Sequence, residues 1–171
     1  MSRSGWALGA VLTVAVLGGA GLWGAMRLGA FEIGENMSTI DIEEKGPDGL
    51  PIIHWWVERE EFEKIQALLD AGGDIEVPGF QGATPLLKAA VADSWPMAVF
   101  LIERGAFVGA VDRRGMTLPW LAATSRVKEG NPDFPALLKV RELLNEKGML
   151  GQYYEPNDVK KRIKEGNWPP K

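Results

Sequence analysis

The chain carries a single histidine, His54, followed at short range by Glu58, Glu60, Glu61 and Glu63. A histidine among carboxylates is the raw material of general acid and base chemistry, provided a cleft holds the groups together and shifts their pKa values. These acids crowd one short stretch and have no second histidine to share the work, so they read as a solvated helix start. Cysteine is absent, which removes disulfides, thiolate metal sites and thiol nucleophiles. No His-x-x-x-His pair and no Asp-x-Asp-x-Asp-Gly loop occurs, so no metal site is expected. Ser94, Thr124 and Ser125 lack a G-x-S-x-G setting or a neighbouring histidine. Neither phosphate-binding glycine motif is present, so no nucleotide cofactor is expected either. Lys160, Lys161, Arg162 and Lys164 form a short basic cluster, but on a chain of net charge −4 they read as a solvent face, not a nucleic-acid surface. Expected catalytic, metal and cofactor residues are none, and recognition by a surface remains.

The elements that would build such a surface are marked by glycines at a fixed period. Gly49, Gly82 and Gly115 are spaced 33 residues apart, and Gly72 and Gly105 repeat that spacing. A period of this size belongs to stacked supersecondary units. The middle unit opens Gly82-Ala83-Thr84-Pro85-Leu86-Leu87-Lys88-Ala89-Ala90 and closes Leu101-Ile102-Glu103-Arg104-Gly105-Ala106, then Val111-Asp112. Thr84 can cap a first helix with Pro85 in its first turn, where a missing N–H costs nothing. Ala89 and Ala90 are small enough to let a neighbouring helix pair approach closely. Gly105 suits a left-handed helix end, and Gly115 a turn between units. These residues strongly resemble the ankyrin repeat, with its G-x-T-P-L-H-x-A-A start and L-L-x-x-G-A-x-V-x-A-x-D close.

The resemblance covers residues 49–148 as three units, 49–81, 82–114 and 115–148, and implies an all-α solenoid of helix pairs joined by short hairpin turns. In the first unit Pro51 stands for the threonine, and Trp56 and Val57 for the alanine pair, as suits a terminal cap. His54 falls on the position where the family's histidine hydrogen-bonds within and between units. In the third unit Gly105 to Gly148 is 43 residues instead of 33, so an insertion is expected around Ser125 to Pro135, with Gly130 and two prolines making it a loop. Residues 149–171 are expected to close the stack with a polar helix begun by Asn157 or Asp158 and stopped near Gly166. By resemblance, partners are bound by the turn tips and the exposed side of each first helix. The matching positions are Asp48, Leu50, Phe80, Gln81, Ala83, Arg113, Arg114 and Met116 on the tips, and Glu58, Arg59, Val91 and Thr124 on the helices. Phe80 is the expected anchor and the Arg113-Arg114 pair the second, because aromatics and arginine concentrate binding energy. Trp95 and Trp120 suit either core or contact.

The remaining signals place the module. Gly5 to Met26 runs 22 residues without a charge, enough at about 1.5 Å per residue to cross a layer roughly 30 Å thick. Residues 1–27 are therefore read as a signal anchor or transmembrane helix; the alternative is a cleaved leader with an exit near Gly18 and Ala20. A short tail before the span and a long domain after it favour a single-pass inner-membrane protein with its C-terminal domain in the periplasm, or, after cleavage, a soluble periplasmic one. Residues 28–48 look like an acidic tether able to fold onto the first unit. Residues 32–76 hold 13 acids and 3 bases, residues 77–171 10 acids and 14 bases. That polarity can orient a charged partner but says nothing of fold. The expectation is a non-enzymatic module for binding another protein, in its most specific form an immunity protein that masks an exported toxin. The alternatives are a structural subunit of an envelope complex, or a hydrolase built on His54.

Overall fold

Short helices are marginal alone and persist only when packed against one another, and this chain makes them in pairs. The computed structural model describes residues 40–151 and 153–169, which belong to a compact unit spanning Met37–Lys171. Among the described residues there are seven α-helices and no strand: α1 (Ile52–Glu58), α2 (Phe62–Asp70), α3 (Pro85–Val91), α4 (Trp95–Glu103), α5 (Leu118–Thr124), α6 (Phe134–Glu146) and α7 (Pro156–Lys164). The fold is all-α. Helices α1 and α2, α3 and α4, and α5 and α6 pack as pairs, while α1 lies on α3, α3 on α5 and α4 on α6. Phe62 and Phe100 join α2 to α4 edge to face, with ring centroids 5.4 Å apart. One apolar core, including Ile53, Ile65, Leu86, Leu101, Leu118, Leu137 and Leu144, runs through all three pairs. Ala89, Ala90 and Ala122 are buried between helices, where larger side chains would hold the pairs apart.

The glycine period recurs in the backbone. One turn precedes the first helix of each pair, and in these three turns the N–H of residues 46, 79 and 112 donates to the carbonyl of residues 50, 83 and 116 respectively, at 2.8, 2.9 and 3.2 Å. Gly49, Gly82 and Gly115 sit in these turns with φ of 77°, 72° and 83°, which only glycine adopts without strain. Thr84 and Thr117 cap α3 and α5 by accepting from Leu87 N and Trp120 N, whereas Pro51 offers α1 no such cap. The second helices end alike: Gly73 N, Ala106 N and Met149 N each donate to the carbonyl five residues earlier, closing over the left-handed Gly72, Gly105 and Gly148.

Three expected boundaries move. The turn before α1 begins at Lys45, which bridges to Pro51, rather than at residue 49. Ile52 N donates to Glu44 O at 2.9 Å and Ile40 packs against the core, so the described part of the acidic segment is folded onto the first pair. The insertion is not all loop. Three residues separate α1 from α2 and α3 from α4, but nine separate α5 from α6, and α6 has 13 residues where α2 and α4 have 9. Of the ten extra residues six therefore lengthen the connection and four lengthen the helix. Pro135 does not prevent this, because it lies in the first turn of α6. Finally, α7 starts at Pro156, so Asn157 and Asp158 lie inside it and cap nothing. The residue before it, Glu155, instead accepts from Trp120 Nε1 at 3.0 Å. The start of α7 lies on the third turn and beside Trp120 of α5, with Val159 buried and the Pro156 carbonyl against Gly115.

Among the described residues no helix is long and apolar enough to cross a membrane. The apolar run 5–26 and residues 28–39 of the tether lie outside the described residues.

Candidate interaction surface

His54 is built into the fold rather than into a cleft. Its side chain is 0% exposed and its Nε2 donates to Val77 O at 2.9 Å, tying α1 to the segment that leads into the second turn. The imidazole lies against Gly79, where an added Cβ would fall 2.7 Å from two ring atoms. Burial holds its pKa below 6.5; the Val77 hydrogen bond works against this, Lys88 adds to it and Asp48 opposes it. The Nδ1 atom is buried with no partner, so the neutral ring with its proton on Nε2 is the form that fits. The carboxylates following it do not converge on it: Glu58 pairs with Lys88 at 3.0 Å, Glu61 with Lys64 at 3.1 Å, and Glu60 accepts from Ser94. Among the described residues no three of His, Asp and Glu are grouped as metal ligands.

The tip positions divide into those that project and those that are engaged. Phe80 and Gln81 lie in a short 3-10 turn, Phe80–Gly82, that presents the Phe80 ring at 68% exposure. The neighbouring turn is tied to this one, because Arg113 N donates to Gln81 O at 2.9 Å. The Arg113 stem runs alongside Gly82, whose missing side chain leaves it room, and Arg113 itself is exposed. Phe80, Gln81 and Arg113 therefore form one patch on two hydrogen-bonded turns. Val91, at the end of α3, adds an exposed apolar side chain.

Other positions are committed internally. Ala83, expected on a tip, is buried. Arg114 is drawn back: Asp112 accepts from its Nε at 2.7 Å and also from the N–H groups of Arg114 and Met116, both at 2.9 Å. Arg114 thus braces its own turn, and Met116 is half-buried. Arg59 stacks on Trp55, its guanidinium carbon 3.3 Å from the ring centroid. Thr124 donates its hydroxyl to Trp120 O at 2.8 Å. Asp48 accepts from Leu50 N at 3.1 Å within the first turn, where Leu50 is half-buried. Of the two tryptophans left open by sequence, Trp95 is fully buried and Trp120 is half-covered beside α7.

Two features of the surface carry no obvious sequence signal. Glu60 and Asp93, 33 residues apart in the connections between helices, both adopt positive φ, 55° and 57°. Each carboxylate accepts from a serine of the next pair, Ser94 and Ser125 respectively. Asp93 also accepts from the buried Trp95 indole at 3.2 Å. The second is Phe107, just beyond α4, which is 63% exposed although its backbone N–H is held by Glu76 at 2.7 Å.

No family model matches the chain, and no curated protein matches it.

Proposed function

We propose that the chain is a small ankyrin-repeat binding module with no catalytic machinery of its own, gripping another protein through the tips of its turns. The recurrence of turn and first helix at 33 residues, with each second helix closed over a glycine, supports the repeat reading. The observation that carries the function is the patch of Phe80, Gln81 and Arg113. A hydrogen-bonded turn presents a large aromatic to solvent there, beside an exposed guanidinium that makes no ion pair among the described residues, and that is the composition of an interface anchor. Residues 5–26 would hold the module at the outer face of a bacterial inner membrane, or direct its export if the leader is cleaved. An immunity protein covering an exported toxin is the most specific form of this reading, and a structural subunit of an envelope complex is the other. The hydrolase reading gains no support, since His54 is buried and hydrogen-bonded to the backbone.

The test is retrieval of the full chain from its native membrane or envelope fraction together with whatever is bound. The proposal expects one protein at a fixed ratio to the wild-type chain and its loss from the Phe80→Ala, Arg113→Glu double variant. Retention of that protein by the double variant would move the function off this patch. Truncation of an aromatic anchor costs about 2 kcal/mol or more of binding.

A further inference from the structure

Helix α7 divides its charges between two sides, and one side joins the row of turns. By helical periodicity Lys160 and Lys164 share a side that Asp158 and Glu165 do not. The stem of Lys160 passes the third turn, its Cγ 3.1 Å from the place that a Cβ on Gly115 would occupy. Asp158 and Glu165 instead line a hollow with Tyr154, Lys161 and Arg162. Lys160 and Lys164 are exposed, and neither makes an ion pair among the described residues. Arg113, on that same third turn with its stem towards the second, is exposed and unpaired in the same sense. Other carboxylates of this turn and of the approach to α7 are engaged: Asp112 holds Arg114 at 2.7 Å, and Glu155 accepts from the Trp120 indole at 3.0 Å.

Because α1 lies on α3 and α3 on α5, the turns that precede these helices follow one another in the same order. Their charge changes along the row. Around the first turn Asp41, Glu43, Glu44 and Asp48 are exposed, with Lys45 the only base of that stretch. The second presents the uncharged Phe80 and Gln81, and the third, extended by α7, presents Arg113, Lys160 and Lys164. A uniform polyanion laid along this row, a nucleic acid or an anionic bilayer, would be attracted at one end and repelled at the other. A protein segment can carry its carboxylates at one end alone and still offer an apolar side chain to Phe80. Charge complementarity of that kind fixes direction and suppresses wrong partners.

We propose that α7 extends the recognition surface and that its occupant is an acidic protein segment, with an apolar side chain on Phe80 and carboxylates running from Arg113 to Lys160 and Lys164. This rests on the reading of Phe80, Gln81 and Arg113 as a binding patch, and adds the charge and direction of what is bound. The test titrates the full chain, held in detergent, with labelled probes. One peptide has a leucine with glutamates on one side and lysines on the other; a second alternates the same charges; a third has lysines on both sides; the fourth probe is single-stranded DNA. Fluorescence anisotropy should give saturable binding of the first, about tenfold tighter than of the second or the DNA and weaker as salt rises. Lys160→Glu with Lys164→Glu should weaken it about tenfold. With Arg113→Glu added, the chain should prefer the all-lysine peptide, which a misfolded variant cannot do. Equal binding of the first two peptides, tighter binding of the DNA, no binding, or indifference to the lysine substitutions would overturn the proposal. So would self-association that those substitutions abolish, because the acidic first turn of a second copy would then be the occupant. Retrieval from the native envelope separates this inference from the reading beneath it. A protein kept by the Lys160→Glu, Lys164→Glu variant but lost by the Phe80→Ala, Arg113→Glu variant would remove α7 from the surface and leave the patch. A protein kept by both would remove the patch itself.

Discussion

At the scale of single residues, the fold depends on side chains whose neighbours leave them no alternative. His54 is the clearest case, a neutral ring enclosed with one nitrogen satisfied and the other bare. Its folded pKa lies below its unfolded value of 6.5, so the unfolded chain takes up the proton first as pH falls. The stability that the neutral ring contributes is fully present above pH 6.5 and is lost as pH falls from there towards the lower folded pKa. Denaturant midpoints measured at pH 7.5 and 5.5 should therefore drop for the wild type and drop distinctly less for His54→Leu. Equal losses would mean that the ring is not held neutral. Gly79 is the complementary case: Gly79→Ala would push a methyl into the imidazole and should destabilise the chain by about 1–3 kcal/mol, the usual cost of overpacking, in urea unfolding.

At the scale of elements, the legible parts were those written in residue types with one mechanical use. Thr84 with Pro85, and Gly105 after the apolar run, announce where a helix starts and stops, and the structure uses them so. The misplaced parts rest on backbone choices that residue type does not reveal. Pro135 looks like a helix breaker but serves as a first-turn residue, so the ten inserted residues divide between connection and helix. Lys45 and Gly46 join the first turn through main-chain hydrogen bonds alone, which no side chain advertises. The positive φ of Glu60 and Asp93 was likewise hidden, because glycine is the residue that normally marks it. Their carboxylates reach the next helix pair, and Asp93 serves Trp95 and Ser125 together. Asp93→Ala keeps the strained backbone and removes both acceptor contacts. Urea unfolding should show a loss of about 1–3 kcal/mol, the cost of weakening a partly buried hydrogen-bond network. A loss near zero would reduce these contacts to ornament.

At the scale of the whole molecule, three helix pairs share one core, and none could bury its apolar face alone. Among the described residues the ion pairs between successive pairs, Lys88 with Glu58, Arg104 with Asp70 and Lys139 with Glu103, all reach solvent and contribute at most about 1 kcal/mol each. Cohesion therefore comes from apolar packing and backbone closure, which frees the turn tips for other duties. Of the twelve tip and helix positions expected at the surface, Phe80, Gln81 and Arg113 meet as a patch, whereas Ala83 is buried and Arg114 and Arg59 are spent on Asp112 and Trp55. A repeat pattern tells which positions face a common side, but not which side chains fold back onto their own turn.

The claim that recognition resides in the turn tips is tested most directly by a photoreactive residue placed at position 80 of the full chain in its native envelope, with the exposed position 138 of α6 as control. The account predicts one adduct of fixed mass from position 80, abolished by Arg113→Glu, and none from position 138. Adducts of the same kind from both positions, or none from position 80 at any exposure, would contradict it.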